Sequence, residues 1–261
     1  MKVKDLLVAL EQFAPLPLQE SWDNAGLQIG LTEAEVSGAL LCLDVNEAII
    51  DEAIERGFNL VVAHHPLLFH GLKRISDADT VQRTVTKAIE HHINVISMHT
   101  NMDNARGGVN FKMAEKLGLI DTDFISTKTV NGTECGNAVI GTLPEAMSAR
   151  DFIAAAKRAF GAEVALCNQL LRRPIRRVAL CGGAGDFLVG EAIGAGADAF
   201  ITGEMHYHVY FGHEQEIQLC VLGHYQTEQY TAEIFRDIIN NSCPDVPTAV
   251  AATSTNPINY L

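Results

Sequence analysis

Residues 38–66 read GALLCLDVNEAIIDEAIERGFNLVVAHHP and contain two short apolar runs on either side of a helix-length segment. The runs at 38–43 and 59–63 are rich in aliphatic residues, which is typical of buried strands. The segment 46–56 between them has apolar residues at helical spacing, with Asp44 or Asn46 as its candidate N-cap. A strand, a helix and a second strand in this order predict a parallel βαβ unit.

The alternation of strand and helix continues to the end of the chain. Further strands are predicted at 94–98, 137–142, 177–181, 199–202, 218–222 and 248–253. Further helices are predicted at 79–91, 108–117, 148–160, from about 187, and at 227–240, and Gly118 is the expected end of the second of these. The pattern predicts an α/β fold with mostly parallel sheets covered by helices, and the polar stretch 121–133 is the predicted domain boundary.

The composition is acidic and moderately hydrophobic. The 261 residues carry a formal net charge of -13 with a pI near 5.1, and 48% of them are hydrophobic. The negative charge argues against direct binding to nucleic acid or to an anionic membrane. The six cysteines form no C-x-x-C pair, so a thiolate zinc knuckle or a thioredoxin-like motif is not supported. Several lie inside apolar runs, and reduced thiols of this kind fit a cytoplasmic protein. No stretch approaches the ~18 apolar residues of a membrane span.

Side chains that bind metals follow three of the predicted strands. His64 and His65 directly follow the strand at 59–63, and Asp103 lies shortly after the strand at 94–98. His224 follows the strand at 218–222, and Glu228 lies four residues later, on the same face if a helix starts there. Ligands gather at the carboxyl ends of strands in α/β sheets, so these residues share one rim if the strands are neighbours in one sheet.

The chemistry of this set suits two divalent ions. Imidazole and carboxylate ligands accept Zn, Fe, Mn or Ni, and five of them exceed the need of one closed structural site. Adjacent histidines point in different directions, so each could bind its own ion, while a carboxylate can bridge two ions. Two ions ~3.5–4 Å apart can hold a bridging hydroxide, which provides a nucleophile at neutral pH.

Other polar residues near the strand ends are weaker candidates. His99 could be a metal ligand, could support one, or could move protons, and Glu204 could be a general acid or base. His206 and His208 could contact a substrate or lie on a solvated loop. The glycines at 182, 183 and 185 could form a phosphate-binding turn, although a tight turn between a strand and a helix explains them better.

Six ordered segments of the chain resemble a known family. They are SWDNAGLQIG at 21–30, HHP at 64–66, HTNMD at 99–103, GGAG at 182–185, TGE at 202–204 and GHYQTE at 223–228. Together they resemble the Ngg-interacting-factor-three-like family, whose bacterial members are commonly called GTP cyclohydrolase I type 2 homologs.

The resemblance implies a dinuclear metal centre in a two-domain α/β protein. The implied metal ligands are His64, His65, Asp103, His224 and Glu228. The implied second domain, at about 128–212, is inserted into a metal-binding domain formed by 1–127 and about 213–261, which puts His224 and Glu228 in the same domain as His64. The resemblance also implies a toroidal homohexamer.

The expected function is that of a metal-dependent hydrolase acting on a nucleotide-like or heterocyclic small molecule. Its candidate catalytic residues are Glu228, His99, His206 and Glu204. The alternative is a protein without catalytic activity that binds or delivers metal, or a regulatory scaffold stabilised by metal. The absence of a Cys-rich cage and the position of the ligands at strand ends favour the enzyme.

Overall fold

A computed structural model describes residues 1–261 and contains thirteen strands and nine α-helices. The strands are β1 (Gly26–Ile29), β2 (Ala39–Cys42), β3 (Leu60–Ala63), β4 (Asn94–Ser97), β5 (Ile120–Phe124), β6 (Lys128–Val130), β7 (Thr133–Cys135), β8 (Val139–Met147), β9 (Leu166–Cys167), β10 (Ile175–Ala184), β11 (Ala199–Glu204), β12 (Gln218–Val221) and β13 (Thr248–Val250). The helices are α1 (Val3–Phe13), α2 (Glu47–Glu55), α3 (Thr80–Glu90), α4 (Thr100–Asn104), α5 (Val109–Leu117), α6 (Ala149–Phe160), α7 (Val189–Gly194), α8 (His224–Glu228) and α9 (Thr231–Ser242).

The chain folds into two compact units, and the second is inserted into the first. The first unit contains Met1–Ala105 and Thr231–Pro257, and the second contains Arg106–Tyr230 and Ile258–Leu261. These boundaries differ from the predicted ones near 127 and 213. The reason is that the polar stretch 121–133 does not link the units: it contains most of β5, all of β6 and the start of β7, which belong to the second unit.

The first unit is built on a five-stranded mixed sheet in the order β1-β4-β3-β2-β13. β13, β2, β3 and β4 run parallel, and β1 pairs with β4 in the antiparallel direction. Every residue of β2, β3 and β4 is buried, which explains the uninterrupted apolar runs of β2 and β3. The predicted βαβ unit at 38–66 is therefore confirmed as β2, α2 and β3.

The core of the first unit lies between this sheet and its helices. Ile49 and Ile50 of α2 pack in one cluster with Leu40, Val61 and Val95 of the three central strands. The side chain of Asn46 caps α2 by accepting a hydrogen bond from the backbone N–H of Ile49 at 3.0 Å. The C-terminal helix α9 packs on α1, β2 and β13, so residues far apart in the sequence complete the same core.

The second unit is built on a six-stranded mixed sheet in the order β5-β8-β10-β11-β12-β9. β10, β11 and β12 run parallel, and the remaining pairings are antiparallel. Helix α6 begins after Ser148, whose side chain accepts a hydrogen bond from the N–H of Asp151, and ends at Gly161 with a φ of +63°. It buries Phe152 and Phe160 in the core of this unit.

The assignment of β12 to the second sheet changes the location of two candidate ligands. The family resemblance implies that residues from about 213 to 261 belong to the first domain, but β12 pairs in parallel with β11 and in the antiparallel direction with β9. All four residues of β12 are buried in this sheet. His224 and Glu228, which follow β12, are therefore part of the second unit, whereas His64 is part of the first.

Two predicted helices also differ from the structure. The helix predicted at 227–240 is two helices, because α8 ends at Glu228 and α9 begins at Thr231. The helix predicted from about 187 starts with the 3-10 turn Asp186–Leu188 and continues as the short α7. The end of α5 at Gly118, with a φ of +74°, is confirmed. No helix has the length and apolar character needed to cross a membrane.

Candidate metal centre

Three histidines of the first unit converge at the carboxyl ends of two neighbouring strands. His64 and His65 directly follow β3, and His99 lies two residues after the end of β4. Because β3 and β4 are parallel neighbours, their carboxyl ends lie at the same edge of the sheet. One ligand nitrogen of each ring lies within 4.8 Å of the others, and the ring centroids are 5.0–5.4 Å apart.

The other nitrogen of each ring is held by an oxygen acceptor. His64 Nδ1 lies 2.8 Å from the carbonyl oxygen of Met98. His65 Nδ1 lies 2.7 Å from Asp44 Oδ1, and His99 Nδ1 lies 2.7 Å from Asp23 Oδ1. A carbonyl or carboxylate oxygen requires Nδ1 to donate, which leaves Nε2 with its lone pair in the neutral ring. This is the arrangement in which protein histidines bind metals.

Both carboxylates behind these histidines are ionised at neutral pH. Burial opposes ionisation of Asp23, but hydrogen bonds from His99 and Thr100 lower its pKa to about 2. Burial likewise opposes ionisation of Asp44, and hydrogen bonds from His65 and Thr255 lower its pKa below the ordinary value. The negative charges favour the Nδ1–H tautomer, which presents the lone pair of Nε2 as the ligand.

Asp103 adds a carboxylate to this part of the first unit. It lies on the short helix α4, which starts directly after His99, and its Oδ1 is 3.5 Å from His64 Nε2. The His64 side chain is fully buried and that of Asp103 is mostly buried. Imidazole nitrogens and a carboxylate oxygen of this kind could hold a Zn, Fe, Mn or Ni ion.

His224 and Glu228 form a similar pair in the second unit. Helix α8 starts at His224 directly after Gly223, and the helical spacing brings His224 Nε2 to 3.0 Å from Glu228 Oε2. His224 Nδ1 lies 2.9 Å from Glu204 Oε1, so the same orientation is imposed on this ring as on the other three. The side chain of Glu228 is only 5% exposed. A buried carboxylate of this type favours a nearby cation.

The glycine-rich end of β10 provides the space that this pair occupies. A Cβ atom at Gly183 would lie 2.5 Å from Glu228 Oε1 and 3.2 Å from His224 Nε2, and the φ of this residue is +59°. A Cβ atom at Gly203 would lie 2.8 Å from the Cα atom of His224. These close approaches explain the glycines without a bound phosphate.

The predicted catalytic residues have different positions in the structure. His99 joins His64 and His65, and Glu204 supports His224. His206 is instead exposed, with Nδ1 2.5 Å from Asp186 Oδ2, and this hydrogen bond raises the pKa of His206. His208 is also exposed, on the 3-10 turn Tyr207–Tyr210.

The supporting carboxylates Asp23 and Asp44 were not predicted as site residues. Asp44 follows β2, next to β3 in the sheet, so its position at a strand end was the available signal. It is not the cap of α2, which is Asn46. Asp23 belongs to the quoted segment 21–30, but its contact with His99 spans 76 residues of sequence.

Comparison with known proteins gives a consistent result over the whole chain. A Clostridium perfringens protein named GTP cyclohydrolase 1 type 2 homolog is 30% identical over 263 residues, which covers all of both chains. A Campylobacter jejuni protein of the same name is 30% identical over 265 residues, again with full coverage of both. The crystal structure of Staphylococcus aureus protein SA1388 matches with a TM-score of 0.91 and 27% identity, over 100% of this chain and 99% of that one.

The family comparison agrees with these relatives. The model of Duf34/NIF3 (NGG1p interacting factor 3) matches residues 1–257. This range includes all six segments on which the resemblance was based. The chain therefore belongs to the Duf34/NIF3 family.

Proposed function

We propose that this protein is a metal-dependent hydrolase that binds two divalent ions. The observation that carries the proposal is the shared orientation of four histidines, each with Nδ1 held by an oxygen and Nε2 left as the ligand atom. The proposed ligands are His64, His65, Asp103, His224 and Glu228.

The protein's own groups have distinct proposed roles in this chemistry. Bound divalent ions supply Lewis acidity, which lowers the pKa of water and polarises a substrate oxygen. Asp23, Asp44 and Glu204 orient the histidines through Nδ1. The Glu204 side chain is 56% exposed and uses one oxygen for His224, so its second oxygen can exchange a proton with a substrate or with solvent.

His99 and His206 are proposed to handle protons in different ways. His99 lies within 4.8 Å of His64 and His65 and is backed by ionised Asp23, which suits either metal binding or proton transfer. His206 lies on the surface with Asp186, and it can shuttle protons between solvent and the region of Glu204. Glu228 is buried beside His224, and its main proposed role is that of a metal ligand. A role as catalytic base is the secondary proposal for this residue.

The proposed substrate is a nucleotide-like or heterocyclic small molecule. This choice is supported by the name of the Clostridium perfringens relative, GTP cyclohydrolase 1 type 2 homolog, which describes hydrolytic chemistry on a purine nucleotide. We further propose, from the family resemblance alone, a cytoplasmic protein that assembles as a toroidal homohexamer. Analytical ultracentrifugation tests the assembly.

Metal analysis of the purified protein tests the proposal most directly. We expect two equivalents of divalent metal per chain, and one or fewer in His65→Ala and in Glu228→Ala. His91→Ala is the control, because His91 is an exposed histidine at the end of α3. Absence of metal from the wild type after reconstitution with Zn, Mn or Fe contradicts the proposal.

Turnover assays separate the enzyme from a protein that only binds metal. The reconstituted wild type is tested on a panel of purine nucleotides and heterocyclic amides, beside Glu204→Gln. Hydrolysis that falls in Glu204→Gln while metal content is retained supports a hydrolase with Glu204 near the reacting atoms. Full metal content without hydrolysis of any panel member favours the metal-binding or delivery alternative.

A further inference from the structure

Two cysteines lie opposite each other at one edge of the second sheet. β9 pairs with β12 in the antiparallel direction, and Cys167 is the direct partner of Cys220. Directly opposed residues of antiparallel strands have Cα atoms ~4.5–5.5 Å apart, which is within the ~4.4–6.8 Å that a disulfide requires. Both side chains pack in the same apolar cluster, so they project from the same face of the sheet.

Cys167 is the accessible member of this pair. It is partly exposed, whereas the other five cysteines of the chain are buried. A hydrogen bond with Cys220 lowers the pKa of the Cys167 thiol, burial opposes the effect, and the positive charge of Lys157 adds to it. Access and thiolate character are the two conditions for a reactive cysteine.

Cys220 has the complementary character. The same hydrogen bond, together with burial, raises its pKa well above the ordinary value. Its side chain is fully buried. Cys220 therefore stays protonated and shielded from reagents while Cys167 is available to react.

Tyr210 lies close enough to influence both thiols electrostatically. Burial raises its pKa to about 12, and the charge of the Cys167 thiolate adds to this effect. Its hydroxyl is buried and has no hydrogen-bond partner. The phenol is therefore neutral, and it places no negative charge against a Cys167 thiolate.

We propose that Cys167 and Cys220 are a modification site for small-molecule disulfides, which convert the two thiols into a cross-strand disulfide. The Cys167 thiolate attacks one sulfur of the reagent, forms a mixed disulfide and releases one thiolate. The released thiolate takes the proton of Cys220, whose sulfur then attacks Cys167 Sγ and releases the second thiolate. The two protein thiols lose two electrons in total, and the reagent disulfide is reduced to two thiols.

The modification would fix the edge of the sheet just before α8. Cys220 is the third residue of β12, and His224 begins α8 four residues later. The cross-link joins β9 covalently to this strand. The inference does not rest on the proposed function, because it requires neither a metal nor a substrate.

Treatment of the full-length chain with oxidised glutathione tests the inference. Thiol titration after denaturation should fall from six free thiols to four. Peptide mass spectrometry of the alkylated protein should find Cys167 linked to Cys220. A reductant should restore all six thiols.

Single substitutions separate the two steps. Cys220→Ala should retain glutathione on Cys167 as a stable mixed disulfide, because the resolving thiol is missing. Cys167→Ala should form neither the adduct nor the disulfide. Cys243→Ala is the control, since this buried cysteine lies in the first unit, and it should still form the Cys167–Cys220 link.

Three outcomes overturn the inference. They are an unchanged count of six thiols, a disulfide that joins any other pair, and absence of the adduct on Cys167 in Cys220→Ala. Alkylation of the native wild type gives a test that needs no variant. Cys167 should react with iodoacetamide at least ~10-fold faster than any other cysteine, and equal rates for all six contradict the inference.

Discussion

Asp44 accepts hydrogen bonds from His65 Nδ1 and from Thr255 Oγ1, each at 2.7 Å. The carboxylate orients the ring and makes Nε2 a better ligand, so its loss should weaken metal binding without removing a ligand. Partners of this kind typically contribute 10–100-fold to metal affinity. We expect Asp44→Asn to raise the dissociation constant for Zn by about this factor, measured by competition with a chromophoric chelator.

The control for this prediction is Thr255→Val. It removes the second hydrogen bond to Asp44 but leaves the contact with His65 intact. The dissociation constant of Thr255→Val for Zn should stay within about threefold of the wild-type value, which is a small difference in the free energy of binding. Equal affinities of Asp44→Asn and the wild type would show that Asp44 does not support a ligand.

Glu52 makes the stability of the first unit dependent on pH. Burial disfavours its charge, but the backbone N–H groups of Ala252 and Thr253, and the side chains of Thr253 and Arg56, lower its pKa from 4.5 to about 2. A carboxylate with a lowered pKa in the folded state contributes stability above the unfolded value of 4.5. This contribution is lost as the pH falls from about 4.5 towards 2.

Glu52→Gln should therefore lower the free energy of unfolding by about 2 kcal/mol at pH 7, the usual contribution of hydrogen bonds to a buried charge. The difference from the wild type should be constant between pH 6 and 8 and should shrink below about pH 4.5. Urea unfolding at a series of pH values measures it. Glu55→Gln, an exposed change on the same helix, should match the wild type throughout, and a pH-independent deficit in Glu52→Gln would exclude the carboxylate charge as its cause.

At the scale of elements, the end of β10 leaves no space for a side chain beside α8. A Cβ atom at Gly183 would lie 2.5 Å from Glu228 Oε1, and the φ of +59° is strained for any other residue. We expect Gly183→Ala to lower the free energy of unfolding by about 1–3 kcal/mol and to reduce metal content, because Glu228 must move. Thermal unfolding and metal analysis of the same preparation measure the two effects.

Gly190→Ala is the matched control on a neighbouring element. Gly190 lies in α7, its added Cβ atom would meet nothing within 4 Å, and alanine is the better helix former. This variant should be as stable as the wild type or up to about 1 kcal/mol more stable. If both substitutions have the same effect, the close approach to Glu228 is not what requires glycine at 183.

The same elements show which parts of the site a sequence can predict. Strand β3 is apolar throughout, and β4 has Val95 and Ile96 at its centre, so the ends of both strands, and with them His64, His65 and His99, could be located from local pattern alone. Strand β9 has only two residues, and its partner β12 is distant in the sequence. Such short strands are defined by tertiary pairing rather than by their own composition.

The supporting carboxylates depend on tertiary contacts in the same way. Asp23 reaches His99 across 76 residues, and Asp44 reaches Thr255 across 211. The local sequence offers only the position of Asp44 at a strand end, and it identifies the partner of neither carboxylate. The ligand types and their strand ends could thus be predicted, whereas the groups that orient them required the fold.

At the scale of the whole molecule, the choice of sheet for β12 could not be predicted. Both units contain parallel strands that are buried on both faces, and a short apolar run such as the one at 219–221 is compatible with either sheet. The pairing of β12 with β11 and β9 places this strand in the second sheet. This single choice moves His224 and Glu228 into the second unit and shifts the domain boundary from 212 to 230.

The first unit is formed by two separate parts of the chain, which predicts the elements that a core substitution destabilises. Ile239 of α9 is fully buried, and α9 packs on α1 and β2, which lie far earlier in the chain. Ile201 of β11 is fully buried in the core of the second unit. Each Ile→Ala substitution should cost about 2–5 kcal/mol through the cavity that it leaves.

Hydrogen exchange measured by mass spectrometry distinguishes the two substitutions. Ile239→Ala should increase exchange in α1 and β2, although β12 and α8 are far closer to it in sequence, because α9 shares its core with the former. Ile201→Ala should instead increase exchange in β10, β11 and β12, whose side chains surround it. If Ile239→Ala increases hydrogen exchange in β12 more than in β2, destabilisation spreads to neighbours in the sequence rather than within one compact unit.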